Sequence, residues 1–199
     1  MKKKGFTVRR KKKRSGFLFT LVLCVIAFTF LFSSPPIKKV IYPYPYKSLI
    51  EHYAEQYHVD PLLVISVIRA ESKFLPYSQS HKGALGLMQL MPDTADWIAE
   101  TLGDGAFDQS ELREPEKNIQ YGTWYIASLQ KEFQDIELVL AAYNGGRGHV
   151  NEWIRTEQLK VDDLNTEDIP FRETREYVQR VMDNYEKYQD LYGEKPRLK

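Results

Sequence analysis

The feature that most constrains the fold is Leu62–Phe74, a mostly apolar stretch that carries a single carboxylate near its end. Asp60 and Pro61 precede it, which is typical of a helix start. The Asp side chain accepts hydrogen bonds from free amides, and Pro fits the first helical position. Because apolar residues occupy most positions around the helical wheel, the stretch is predicted to be a helix buried on most sides.

The carboxylate is Glu71, and it lies on an apolar face of this helix. Residues three and four positions apart share a helix face, so its neighbours there are Val64, Val67 and Ile68. Burial and the negative end of the helix both favour the protonated form, which raises the pKa and suits a general acid. Taken alone, however, the pattern also fits an exposed glutamate at a frayed helix end.

Helical periodicity continues along the chain, and no strand-like run or internal repeat interrupts it. Further helices are predicted over about 46–57, 92–102, 118–133, 136–143, 148–154 and 172–192. The Gly-containing stretch 78–89 and the acidic stretch 156–170 are predicted to be loops or connections. The fold class is therefore all-α, with one domain over 46–192 and a short tail, 193–199.

The N-terminus combines a basic block, residues 1–15, with the uncharged apolar run Gly16–Phe32. A cleaved signal peptide is one interpretation, but no Ala-x-Ala cleavage site follows the run. Its 17 residues are near the lower limit for a membrane span. We favour a single-pass transmembrane helix over 16–32, with the basic block in the cytoplasm and the rest outside the cell membrane.

Cys24 is the only cysteine, so neither an intrachain disulfide nor a cysteine metal site is expected. A lipoprotein signal around it is disfavoured because Leu23 precedes it and the apolar run continues beyond it. Residues 33–45 are rich in Pro and Tyr, which predicts an extended stalk.

The charge of the two ends differs, which the formal net charge of +1 conceals. The first 32 residues hold nine of the 28 Lys and Arg residues and no acid, leaving 19 basic against 27 acidic side chains in the rest. An acidic folded part argues against nucleic acid as a partner. The four histidines lack metal-ligand spacing, so neither a metal nor another cofactor is expected.

Four stretches in series carry the chemistry. They are Glu71-Ser72, Gly83–Gln89 (GALGLMQ), Ala142–Gly146 (AYNGG) and Ile169–Tyr177 (IPFRETREY). In this order and spacing they resemble the soluble lytic transglycosylases, a goose-lysozyme-like family that cleaves bacterial peptidoglycan. Any one motif would be weak, but four in series over about 46–188 are specific.

The resemblance implies a lysozyme-like helical fold with a groove for the glycan strand. We expect the protein to be a monomer. It makes Glu71 the catalytic residue. The positions it assigns to the groove, or to holding that glutamate, are Ser72, Met88, Gln89, Tyr143, Asn144, Glu173 and Tyr177.

The chemistry of these residue types agrees with that assignment. Gln89 and Asn144 each offer a donor and an acceptor, which suits an N-acetyl group or a sugar hydroxyl. Tyr143 is suited to stacking on a sugar face, with the adaptable Met88 beside it, and the Tyr177 hydroxyl is placed to hold the glutamate in one rotamer.

Other interpretations of the same residues stay open at this stage. The two tyrosines fit core positions on helix faces equally well, and Asn144 fits a helix end. Glu173 has possible ion-pair partners in Arg172 and Arg175.

The resemblance also implies a reaction that needs one carboxylate, whereas most glycosidases use two. Glu71 protonates the glycosidic oxygen, the substrate's 2-acetamido group stabilises the developing charge, and the muramic C6 hydroxyl closes a 1,6-anhydro ring. A muramidase, in which water replaces that hydroxyl, is the nearest alternative. A non-catalytic peptidoglycan-binding scaffold is the alternative from another class, although such a protein has no need of the acid.

Overall fold

The computed structural model describes residues 17–25 and 35–193, and the chain forms two compact units, Met1–Pro43 and Tyr44–Lys199. In the first unit, residues 17–25 are helical (α1) with exposed side chains. Within the described ranges, no helix has both the length and the apolar character needed to cross a bilayer. Much of the predicted span 16–32, like the segment 1–15, lies outside the described residues, so the membrane anchor stays a prediction.

The first unit also contains a second short helix, α2, Pro35–Ile41. The extended conformation predicted for the stalk is wrong over these residues. Both prolines lie in the first helical turn, where the backbone N–H that proline lacks would have no helical partner and its fixed φ angle suits a helix. The proline-rich composition therefore marked a helix start there rather than an extended chain.

Over residues 44–193, the second unit consists of seven α-helices and short 3-10 turns. The helices are α3 (Lys47–Tyr57), α4 (Pro61–Ser72), α5 (Pro92–Leu102), α6 (Pro115–Glu132), α7 (Ile136–Gly145), α8 (Arg147–Arg155) and α9 (Arg172–Tyr192). Between residues 35 and 193 the only β-type pairing consists of isolated bridges in the 78–90 loop. The all-α prediction is confirmed.

Helix α4 is the central element, as the sequence predicted. Asp60 Oδ1 accepts a hydrogen bond of 2.7 Å from the Leu62 amide, and Pro61 occupies the first position. The six residues Leu63–Ile68 are all buried. The helix contacts both α3 and α9.

The cap of α4 gives a first prediction. Asp60→Ala is expected to lower the free energy of unfolding by about 1–2 kcal/mol, because the cap bond is lost. The hydrogen bond of 2.5 Å from the Tyr185 hydroxyl to the second oxygen of Asp60 is lost as well. Urea denaturation of the full chain measures the change, with Asp60→Asn as the matched variant that keeps a capping oxygen. Equal stability of the Ala and Asn variants would contradict this account.

Helices α7 and α9 complete the frame around the end of α4. Asp135 caps α7, and the residues Leu138–Ala142 are all buried. Helix α7 contacts α9 so closely that a Cβ atom added at Gly145 would lie 2.9 Å from Thr174 Oγ1. The ends of α4 and α7 therefore meet the first turns of α9, where the predicted site residues lie.

Candidate active site

Glu71 lies in the last turn of α4, and its environment matches the prediction from the sequence. The pKa of the carboxyl group is raised to about 7, mainly by burial and to a smaller extent by the nearby charge of Glu173. Interactions with the Tyr177 hydroxyl and the Arg180 guanidinium lower the pKa, but by less than burial raises it. A group with this pKa holds a proton in a substantial fraction of molecules near neutrality, as a general acid requires.

Tyr177 lies in the second turn of α9, and its side chain is 1% exposed. Its hydroxyl lies beside the Glu71 carboxyl group and interacts with it. Within the described residues, however, no partner is placed in full hydrogen-bond geometry for this hydroxyl. A buried hydroxyl without a well-placed partner is costly, and the Glu71 carboxyl is the group with which this hydroxyl interacts.

Tyr143 contacts the same region from α7. Its hydroxyl donates a hydrogen bond of 2.8 Å to the Met88 carbonyl oxygen, and its ring lies 5.4 Å from that of Tyr125. Its pKa is raised well above the usual value, first by burial and then by the charge of Glu71. The hydroxyl therefore bonds to the 78–90 loop, and this bond links the loop to α7 beside Glu71.

Asn118, a fully buried residue of α6, also holds the 78–90 loop in place. Its side-chain nitrogen donates to the carbonyls of Leu85 (3.0 Å) and Leu112 (2.8 Å), and its oxygen accepts from the Met88 amide (2.7 Å). Gly86 has φ +82°, and an added Cβ would lie 2.2 Å from the Asn118 Nδ2 atom. Only glycine fits at this turn.

Two loop residues differ from the roles expected of them. Met88 is fully buried, and its side chain packs against Gly122, where an added Cβ would meet the Met88 sulfur at 2.4 Å. Its side chain thus belongs to the core, and its carbonyl supports Tyr143. Gln89 donates its side-chain amide to the carbonyls of Ser78 (3.1 Å) and Gly86 (2.9 Å), which leaves its oxygen as the group suited to a ligand.

Ser72 and Asn144 end the two helices that meet at the site. Ser72 is buried, and its hydroxyl donates to the Ile68 carbonyl one turn back at 3.2 Å, so it shapes the end of α4. Asn144 is partly exposed in the last turn of α7. Of the two, Asn144 is the one whose side chain is open to a ligand.

Glu173 is exposed in the first turn of α9, and its partner is Lys82 of the 78–90 loop at 3.2 Å. Neither Arg172 nor Arg175, the alternative partners that the sequence offered, pairs with it. Arg172 pairs with Glu176 at 2.7 Å, one turn along the same helix face, and Arg175 with Glu167 at 3.5 Å.

Three residues of the site were missed by sequence reasoning. Lys82 bridges the loop to α9, and the Arg180 guanidinium lies 5.8 Å from the Tyr177 ring centroid. Asn118 could have been found from the sequence. It is a polar residue on a helix face that is otherwise apolar or small and that it shares with Tyr121 and Gly122. The roles of Lys82 and Arg180 could not be predicted in this way, because contacts between distant elements leave no periodic pattern in the sequence. Over residues 17–25 and 35–193, no group of three or more His, Cys, Asp or Glu side chains is arranged to hold a metal ion.

Comparison with known proteins places these residues in a family. The family described as Transglycosylase SLT domain matches residues 48–165, and that described as Soluble lytic transglycosylase helical domain matches 168–196. Soluble lytic murein transglycosylase of Escherichia coli K12 is 33% identical over 160 residues, which cover 79% of this chain and 25% of that protein. Membrane-bound lytic murein transglycosylase C of Edwardsiella ictaluri is 31% identical over 73% of this chain and 47% of its own length.

Solved structures agree with the sequence comparisons. The 70 kDa soluble lytic transglycosylase of Escherichia coli superposes with a TM-score of 0.73 at 30% identity, over 80% of this chain and 26% of that one. An inactive Glu-to-Gln variant of lytic transglycosylase Slt from Pseudomonas aeruginosa gives 0.68 at 29% identity, over 81% and 26%. The chain thus spans between a quarter and half of the length of these relatives. Because the family model matches more than half of its residues, the chain belongs to the transglycosylase SLT domain family.

Proposed function

We propose that this protein is a peptidoglycan lytic transglycosylase that uses Glu71 as its only acid and base. The observation that carries the proposal is the placement of a mostly buried carboxyl group, with a pKa of about 7, beside Tyr177 in a domain of this family. The named activities of the relatives support it. So does the inactivity of a Glu-to-Gln variant in a relative of known structure.

In the proposed reaction, Glu71 donates its proton to the glycosidic oxygen between N-acetylmuramic acid and N-acetylglucosamine as the C1–O bond breaks. The 2-acetamido oxygen of the muramic residue stabilises the positive charge that develops at C1. The ionised Glu71 then takes the proton of the C6 hydroxyl as its oxygen bonds to C1. The glutamate ends the cycle protonated, and neither water nor a cofactor is consumed.

The surrounding residues support this reaction in different ways. The Gln89 oxygen and the Asn144 amide are suited to the N-acetyl groups and hydroxyls of the glycan. Tyr177 and Arg180 stabilise the ionised form of Glu71 that exists between the two steps. Ser72, Met88 and Tyr143 hold the ends of α4, the 78–90 loop and α7 in place. Glu173 and Lys82 bridge the loop to α9 at the edge of the site.

The pH dependence of this reaction follows from the raised pKa of Glu71. The first step needs the protonated form, so the rate at saturating substrate should fall as the pH rises through about 7. The charged or titratable groups that act on Glu71 are Glu173, Tyr177 and Arg180 of α9 and Tyr143 of α7. Initial rates on purified peptidoglycan across this pH range test the prediction. A rate that continues to increase above pH 8 would assign the proton to another group.

We also propose that residues 16–32 anchor the protein in the cytoplasmic membrane with the folded domain outside, as the basic block before them favours. Relatives named as membrane-bound lytic murein transglycosylase C support a location at the membrane. In intact cells stripped of their wall, added protease should reach residues after Ser33, and the N-terminus of the mature protein should be retained. Detection of a mature start near Ser34–Ile37 would instead indicate a cleaved signal peptide.

The experiment that tests the enzymatic proposal is incubation of the full chain in detergent with purified peptidoglycan. Release of soluble muropeptides over time is the result expected of an enzyme. Binding to the peptidoglycan without release would favour the non-catalytic scaffold.

A further inference from the structure

Helix α2 carries its apolar and its charged residues on separate sides. Ile37, Val40 and Ile41 are spaced by three and four positions, so they share one face. Lys38 and Lys39 lie away from that face. Val40 is 79% exposed, more than any other large apolar side chain among the described residues, and Ile41 is 44% exposed. The reaction proposed above makes no use of this helix.

The apolar face of α2 is too small for a protein partner and large enough for a membrane surface. A helix of seven residues is too short to be stable in water by itself, so burial of its apolar face has to stabilise it. Three side chains along about 10 Å of helix offer far less area than a specific protein–protein interface buries. A bilayer surface sets no such minimum. A short amphipathic helix inserts its apolar side chains at the acyl-chain boundary and keeps its lysines among the headgroups.

The place of α2 in the chain puts it close to a membrane. It begins three residues after Phe32, the last residue of the proposed anchor. Three residues span at most about 10 Å, and the headgroup region on each side of the hydrocarbon is about 5–7 Å deep. Whatever path the chain takes, the start of α2 is therefore in the headgroup region or directly next to it.

The charge of this part of the chain also suits a phospholipid surface. No acidic residue occurs before Glu51, so the segment that contains α2 is purely basic. Anionic headgroups such as phosphatidylglycerol attract lysines that lie near the surface. The nine basic residues that precede the apolar run still set its orientation, so two lysines on the outer side do not conflict with the proposed topology.

We propose that α2 docks on the outer surface of the cytoplasmic membrane, with Ile37, Val40 and Ile41 at the acyl-chain boundary and Lys38 and Lys39 among anionic headgroups. The proposal rests on the membrane anchor proposed above and is independent of the catalytic reaction. In this arrangement α2 lies along the membrane and forms part of the anchor, rather than acting as a spacer that projects from it.

The test places a nitroxide spin label on α2 in the full chain. Cys24 is the only cysteine, so Cys24→Ser gives a background in which Val40→Cys carries the only label. The protein is reconstituted into vesicles of phosphatidylcholine and phosphatidylglycerol. Electron paramagnetic resonance then measures collisions of the label with oxygen, which concentrates in the bilayer, and with a water-soluble nickel complex present on both sides. A label at the acyl-chain boundary should collide often with oxygen and rarely with nickel, whereas a label on Glu55→Cys, an exposed position of α3, should show the reverse.

The contribution of charge is tested by adding Lys38→Gln and Lys39→Gln to the protein labelled at Val40→Cys. Each lysine should contribute about fivefold to the equilibrium between the membrane-bound and water-exposed positions of α2, so this double variant should collide more often with nickel. The matched control is Lys131→Gln with Lys160→Gln, which removes the same charge from exposed positions of the folded domain and should change neither collision rate. Equal nickel collisions in the double variant and its parent would overturn the role given to the two lysines.

A label at residue 40 that collides with nickel as often as the reference on α3 would overturn the proposal. Protection of that label from both oxygen and nickel would overturn it as well, because it would show that α2 is covered by protein, such as a second copy of the chain. Failure of the anchor, on which the proposal rests, is recognised separately. The protein would then not float with the vesicles in a density gradient.

Discussion

Replacement of Glu71 by Gln is expected to reduce the release of muropeptides by at least the roughly 10²–10⁴-fold that general acid–base catalysis supplies. The substitution keeps the size of the side chain but removes the proton that the first step transfers. The loss of activity should exceed the loss caused by replacing a typical catalytic acid, because the same carboxyl group also acts as the base in the second step. Binding of the glycan should be preserved, since Gln89, Asn144 and their supporting residues are unchanged.

The same variant should be more stable than the wild type, in a manner that depends on pH. The folded-state pKa of Glu71 is raised from 4.5 to about 7, so the folded protein binds more protons than the unfolded chain between these values. Stability of the wild type therefore falls as the pH rises through that window. A shift of this size corresponds to up to about 3 kcal/mol above pH 7, which a neutral Gln avoids.

Both effects are measured against Glu176→Gln, which removes an exposed carboxylate of α9 that pairs with Arg172. That control should keep its activity and show no comparable gain in stability. A Glu71→Gln protein that retained most of its activity would assign the acid to another residue. Denaturation curves at pH 5 and pH 8 that showed the same stability difference from the wild type would contradict the raised pKa.

Tyr177→Phe is expected to lower the turnover rate about tenfold to a hundredfold while the protein folds normally. A hydrogen bond between a hydroxyl and a charged group contributes roughly 1–3 kcal/mol, which converts to this range of rates. The ring is fully buried and still packs after the substitution. Stability should not fall, because the hydroxyl has no well-placed partner among the described residues.

The pH profile distinguishes a positioning role of Tyr177 from a purely structural one. The hydroxyl lowers the pKa of Glu71, so the Phe variant should lose activity at a higher pH than the wild type, with little change in KM. Tyr185→Phe removes a hydroxyl from the same helix that bonds to Asp60 instead, and its turnover and pH profile should match the wild type. Wild-type kinetics for Tyr177→Phe on purified peptidoglycan would show that the hydroxyl has no part in the reaction.

The sequence predicted those parts of the site that depend on local pattern. The cap of α4, its burial and the raised pKa of Glu71 all follow from residues close together in the chain, and the structure agrees with them. The all-α fold follows in the same way from helical spacing. The four motifs predicted which segments meet, and the charge of Glu71, after burial, contributes to the raised pKa values of Tyr143 and Tyr177.

The parts that sequence could not predict depend on the direction of a side chain or on contacts between distant elements. Met88 was expected in the groove, but its side chain fills the space that Gly122 leaves in α6. The amide of Gln89 turns back onto its own loop. Glu173 pairs with Lys82, 91 positions away, rather than with either of the nearer arginines that the sequence offered as partners.

In the proposed reaction, the C6 hydroxyl of the substrate, rather than water, completes the reaction at Glu71. Mass spectrometry of the muropeptides released from purified peptidoglycan by the wild-type full chain tests it most directly. A 1,6-anhydro end is lighter than a reducing end by one water molecule, so the two products are resolved without ambiguity. We expect anhydro-muramic ends from the wild type and almost none from Glu71→Gln. Reducing ends as the main product of the wild type would contradict it and identify the enzyme as a muramidase.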